Sequence, residues 1–154
     1  MLFRKGNGVK CMAITEVKFR VRYKETDQMG VVHHSNYYTW FEVARTEFMR
    51  NTGLDYRSME EKGVMLPLLE THCNYLRGAK YDDLICIRSW ISKYAGVRLT
   101  MQYEVIREED GEMLAKGSTV HAFTDTNLKP LNIKRKYPEI HKLFVGLLND
   151  VKVK

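Results

Sequence analysis

Apolar and polar positions alternate with a period of two over residues 15–24. Val17, Phe19, Val21 and Tyr23 stand between Lys18, Arg20, Arg22 and Lys24. That alternation predicts a half-buried strand with Tyr23 on its apolar face. The turn-like run Glu25-Thr26-Asp27-Gln28-Met29-Gly30 breaks the pattern, and the period then changes. Tyr37, Trp40, Phe41, Ala44 and Phe48 fall on one face of a helix. Ser35 or Asn36 is the expected N-cap, and Asn51-Thr52-Gly53 the expected stop. Val43 and Met49 add apolar bulk on other faces, which predicts a deeply buried helix. A short polar helix is expected over Tyr56–Glu61, ended by Gly63.

From residue 64 the chain reads as strands. Val64–Leu76 is the first, with Pro67 implying an edge or a bulge near its start. Leu84–Lys93 is the second. Val97–Val105 alternates most cleanly, Glu109-Asp110-Gly111 is a hairpin turn, and Leu114–Thr124 is the returning strand. A helix over 138–149 closes the chain, with Pro138 at a tolerated early position. The order is strand, long buried helix, then four strands in meander. It predicts an α+β fold, one antiparallel sheet wrapped around a central helix. A single curved sheet leaves exposed edges, so a homodimer or homotetramer is expected.

The 154 residues fit one domain. Its expected span is 15–150, after a leader over 1–14 that reads as disordered and before a tail over 151–154. No apolar run approaches the ~20 residues of a membrane helix, and the N-terminus has no secretory core. These features predict a cytoplasmic protein. Cys11, Cys73 and Cys86 form no CxxC pair, which argues against a disulfide framework and against zinc. The net charge is +6. Such a surface suits nucleic acid, membrane phosphates or a phosphorylated small ligand. No nucleic-acid-binding motif is present, so nucleic acid is not expected. Peripheral membrane association stays open, and the three phosphates of coenzyme A would suit the same field.

The densest chemistry lies in residues 23–37. Asp27 sits in a loop just before the N-terminus of the buried helix, with His33 and His34 in the same entry segment. The first backbone N–H groups of a helix lack intrahelical partners and carry partial positive charge. They can hold a developing oxyanion, while a nearby carboxylate activates or supplies a nucleophile. The combination suits hydrolysis of an activated carbonyl. The simpler alternative for Asp27 is a turn or cap residue, and for each histidine a packing or surface role.

Tyr23-x-x-x-Asp27-x-x-Gly30-Val31-Val32-x-His34, then Asn36-Tyr37 and Glu42-x-Ala44-Arg45-x-Glu47, resembles the signature of the 4-hydroxybenzoyl-CoA thioesterase-like HotDog family. The likeness is greatest to the branch of short-chain acyl-CoA thioesterases associated with the Tol-Pal system, and extends from about residue 16 to about residue 135. Tyr75-x-x-Gly78-Ala79-x-Tyr81-Asp82-Asp83 resembles the family's loop between the second and third strands, with Gly78-Ala79 where an Ala-Pro pair is usual. A histidine at 33 replaces a frequent aromatic.

The resemblance implies an acyl-CoA thioesterase. It implies Asp27 as nucleophile or general base, the backbone N–H of His34 polarising the thioester carbonyl, and Tyr23 and the His34 side chain orienting Asp27 or the substrate. It also implies dimers with active sites at the interface. Coenzyme A enters as part of the substrate, and no metal or redox cofactor is implied. Lys93 and Arg98 border the region of the family's coenzyme site, and Arg135, in the run Lys134-Arg135-Lys136, is a further candidate phosphate contact; solvated surface charge is the alternative for each.

Glu42 is expected to pair with Arg45 at i+3. Its other reading is the helix acid of a HotDog dehydratase, with Glu47 on the same helix. His72, His121 and His141 lack metal-ligand spacing. A non-catalytic acyl-thioester-binding scaffold is the remaining alternative.

Overall fold

Strand β1 (Thr15–Arg20) leads into a single 3-10 turn (Tyr23–Glu25), the central helix α1 (Ser35–Asn51) and the short helix α2 (Tyr56–Glu61). Strands β2 (Leu68–Tyr75), β3 (Leu84–Tyr94), β4 (Arg98–Arg107) and β5 (Met113–Ala122) follow, then helices α3 (Ile133–Lys136) and α4 (Pro138–Lys152). The structure, a computed structural model, describes residues 13–152. Cys11 and most of the expected leader lie outside the described residues, while Ala13 is already buried. Among the described residues no helix is long and apolar enough to cross a membrane.

The strands form one antiparallel sheet in the order β1-β3-β4-β5-β2. It encloses α1, as the alternation and the central apolar helix predict, and this is the HotDog arrangement that the family resemblance implies. The meander holds only for β3, β4 and β5. β1 occupies the free side of β3, from Thr15 opposite Ser89 to Arg20 opposite Leu84. β2 therefore crosses over to the far edge beside β5, with a register irregularity between Leu68 and Glu70, close to Pro67.

The expected face of α1 is the one that packs: Tyr37, Trp40, Phe41, Ala44 and Phe48 are buried, together with Met49. They meet Ile85, Ile87, Ile91, Met101, Tyr103 and Val105 from the inner face of the sheet. Each such side chain contributes on the order of 1.5–3 kcal/mol by leaving water. Phe41 stacks on Tyr103, centroids 4.5 Å apart. The ring lies so close to β5 that a Cβ on Gly117 would stand 2.4 Å from it. Val43 faces outward, 42% exposed, so α1 is buried on one side rather than all round.

Two terminal expectations are corrected. β1 ends at Arg20, because the chain turns at Val21 to exchange backbone hydrogen bonds with Asp82 and Asp83. Tyr23 thus leaves the strand and is 78% exposed. The N-cap of α1 is His34, with no side-chain capping bond. Asn36 instead donates to the carbonyls of Glu25 and His33.

Candidate active site

The loop between β1 and α1 is a small hairpin closed by a bridge between Thr26 and Val32. Asp27 begins its turn. Its N–H donates to the Val31 carbonyl at 2.9 Å, and its carbonyl accepts from Gly30 at 3.0 Å. Gly30 adopts φ +76°, a conformation that disfavours a side chain. Asp27 Oδ1 accepts from the Met29 backbone at 2.8 Å. Asp27 is therefore a turn residue, as its simpler reading holds, and also a half-buried carboxylate pinned at one oxygen.

Glu25 anchors this hairpin. Its buried carboxylate accepts from the Arg22 backbone and guanidinium, both at 2.8 Å, and from Trp40 Nε1 at 3.1 Å. Its carbonyl accepts from His33 N–H and from Asn36 Nδ2, both at 2.9 Å. Burial alone raises a carboxyl pKa. Here the donors from Arg22 and Trp40 outweigh it and hold Glu25 below the ordinary value.

The first N–H groups of α1 are unevenly used. Ser35 N–H points at His33 Nδ1, 3.3 Å away. Asn36 and Tyr37 donate to the carbonyls of His33 and His34. Among the described residues no acceptor is bonded to His34 N–H. The Tyr75 hydroxyl donates to the His34 carbonyl at 3.3 Å, tying the end of β2 to the start of the helix. The His34 ring is exposed and lies 4.2 Å from that of His33. The Tyr23 phenol makes no hydrogen bond among the described residues, and its ring meets Tyr81 edge-on at 5.7 Å.

Lys93, Arg98 and Arg135 are exposed at the other end of the sheet. The hairpin joins where β3 begins and β2 ends, since Val32 N–H donates to Ala79. Arg98 opens β4, and Ile133 at the start of α3 donates to Gly96 in the preceding turn. The run from Arg98 to Val105 spans roughly 23 Å at strand rise. Within one chain these cations and Asp27 are not brought together. Lys24 and Lys80, exposed and next in sequence to Tyr23 and Ala79, border the loop instead. Lys24 is close to Asp27 in the sequence itself, whereas only the fold carries residue 80 back to residue 32.

A pocket of about 200 Å³ runs along α1 beyond its first turn, lined by Tyr38, Thr39, Glu42, Arg45, Leu68, Thr71 and Thr119. The expected Glu42–Arg45 ion pair does not form. Arg45 instead donates to the Tyr103 hydroxyl at 3.3 Å, a partner that is distant in sequence and close only in the fold. Glu47 pairs with Arg50. His141 bonds Tyr94, His72 is exposed on β2 and His121 is buried. Among the described residues no group of side chains could hold a metal ion.

The profile of the thioesterase-like superfamily matches residues 21–142. The chain belongs to that superfamily. It is 32% identical over 134 residues to the putative acyl-CoA thioesterase YneP of Bacillus subtilis, covering 86% of this chain and 96% of the relative. It is 31% identical to the acyl-CoA thioesterase YbgC of Haemophilus influenzae, over 73% of this chain and 82% of that one. Among solved structures, a DHNA-CoA thioesterase from Staphylococcus aureus superposes with a TM-score of 0.82 at 33% identity, covering 90% of this chain and 95% of that one. Identities this similar do not single out one branch.

Proposed function

We propose that this thioesterase-superfamily protein hydrolyses acyl-CoA to a free acid and coenzyme A. The observation that carries the reading is a half-buried carboxylate, Asp27, in the hairpin that delivers an unbonded helix-entry N–H, that of His34. The names of the relatives supply the acyl-CoA substrate.

In the reaction, the thioester carbonyl oxygen takes the His34 N–H as the carbonyl carbon becomes tetrahedral. Asp27 acts by one of two routes. It attacks the carbon directly, and the C–S bond breaks to release coenzyme A and leave an anhydride that water opens. Alternatively it takes a proton from water, the hydroxide attacks, and the thiolate leaves and is protonated. Both routes place the negative charge on the same former carbonyl oxygen and need no metal or redox cofactor. Pinning of Oδ1 by Met29 fixes the direction of the carboxylate. The exposed Tyr23 phenol and His34 ring serve the substrate rather than Asp27.

β2 is an edge strand, with Leu68, Leu69 and Tyr75 exposed on it and Leu76 exposed just after it, and Val43 is exposed on α1. Unpaired edges with apolar side chains are normally covered. This exposed apolar edge supports a dimer in which a second copy covers it, with the sites near the interface. The dehydratase reading needs a histidine beside the helix acid, and the pocket that Glu42 lines has none among its lining residues.

The test is thiol release from a panel of acyl-CoAs differing in length and aromaticity. Turnover of at least one well above the buffer rate is expected. No release from any member would contradict the reading.

A further inference from the structure

Arg45 heads a chain of hydrogen bonds that runs in one direction. Its guanidinium donates to the Tyr103 hydroxyl at 3.3 Å, and Tyr103 and Thr119 Oγ1 lie 2.8 Å apart. Thr119 Oγ1 is 2.9 Å from His121 Nε2, and His121 Nδ1 is 3.2 Å from the Leu66 carbonyl. A carbonyl only accepts, so Nδ1 carries the proton. Burial, with the cation of Arg45 adding to it, lowers the His121 pKa to about 4, so Nε2 is bare and accepts from Thr119. Thr119 then accepts from Tyr103. The Tyr56 phenol, beside Arg45, is pushed up to about 12 by burial and is neutral as well.

Every described partner of Arg45 is therefore uncharged, and among the described residues no carboxylate pairs with it. That is unusual for a half-buried guanidinium, which is normally matched by an anion. Arg45 lines the 200 Å³ pocket, and Glu42 lies at its exposed rim without closing on it. A guanidinium has five donors, and Tyr103 and Tyr56 together use only part of them.

We propose that this pocket receives the far end of the acyl group and that Arg45 binds a carboxylate there, so that monothioesters of dicarboxylic acids are preferred. The inference rests on the thioesterase reading. Helix geometry sets the length. Arg45 lies about 16 Å along α1 from His34, and its side chain leans back toward the N-terminus. Roughly 10 Å then separates the thioester carbon from the carboxylate. C–C bonds of about 1.5 Å advance a zigzag chain by roughly 1.25 Å each, so an extended chain of roughly eight to ten carbons spans it.

The experiment compares kcat/KM for suberyl-CoA and octanoyl-CoA, matched in length, in the full chain. Suberyl-CoA is expected to be favoured about tenfold or more, as for a charge-assisted bond. Arg45→Gln is expected to collapse that ratio, mainly through KM for suberyl-CoA. Free suberate should raise the Tm of the wild type more than octanoate does, and should lose that effect in Arg45→Gln. Equal or better turnover of octanoyl-CoA by the wild type overturns the proposal, and that comparison needs no variant. An equal loss for both substrates in Arg45→Gln also overturns it, because Arg45 would then be structural, and so does a preference for 8-hydroxyoctanoyl-CoA over suberyl-CoA. If no acyl-CoA is turned over but suberate binds through Arg45, the thioesterase reading fails and the carboxylate site stands.

Discussion

Trp40, in the middle of α1, donates its indole N–H to the carboxylate of Glu25 in the entry hairpin, 3.1 Å away. This bond joins the helix core to the segment that holds Asp27. Glu25→Gln puts an amide among three donors, at a cost of about 1–3 kcal/mol for the mismatched group. We expect kcat to fall more than KM rises, because the hairpin slackens without losing substrate contacts. The pH dependence follows from the sign of the shift. The Glu25 pKa is depressed in the folded state. Its contribution is present above the unfolded value, about 4.3, and is lost as pH falls through the folded value below it. Thermal unfolding at pH 3–5 should be less pH-dependent in Glu25→Gln than in the wild type. Parallel curves would remove Glu25 as the anchor.

His121 gives a second pH signature. Its pKa, lowered to about 4 by burial first and by Arg45 second, lies below the unfolded value of about 6.5. The unfolded chain binds the extra proton first, so stability is fully present above about 6.5 and drains away as pH falls toward 4. His121→Gln should flatten the Tm profile across that window. An unchanged slope would mean that His121 takes up its proton in the folded protein as readily as in the unfolded chain.

Gly117 is set by close approach. A methyl there meets the Phe41 ring at 2.4 Å and the His72 carbonyl at 2.9 Å. Gly117→Ala should cost about 1–3 kcal/mol by overpacking, read by urea denaturation. Adding Phe41→Leu should recover part of the loss, and a purely additive double variant would contradict the steric cause.

These features differ in how far the sequence exposes them. The periodicities at Val17–Val21 and Tyr37–Phe48 encode burial directly, so the central helix and its enclosing strands are legible. The hairpin motif around Asp27 is legible because its residues are contiguous. The crossover of β2 is not, since strand order depends on which edge β1 takes. The exposure of Tyr23 is hidden as well, because alternation continues past Arg20 while backbone bonds to Asp82 and Asp83 turn the chain away. Arg45 has Glu42 as an obvious local partner and takes Tyr103, which only the fold brings near.

The same long-range placement separates the candidate coenzyme contacts. Lys80→Ala, near the loop, should raise KM for acyl-CoA several-fold with kcat little changed, the pattern of lost uniform binding. The rise should be smaller at high salt, where exposed charges are screened. Arg98→Ala, at the far end of its own sheet, should have the weaker effect. A larger effect from Arg98 would mean that coenzyme A reaches the far end of a sheet, its own or a partner's.

The most direct test of the account is steady-state thiol release by Asp27→Asn with an acyl-CoA that the wild type turns over. Asparagine keeps the shape and turn propensity of residue 27 and removes the charge. We expect kcat to fall ~10²–10⁴-fold, the scale of a lost base or nucleophile, with Tm within a few degrees of the wild type. Wild-type kcat in Asp27→Asn would contradict the assignment of Asp27 as the reacting carboxylate.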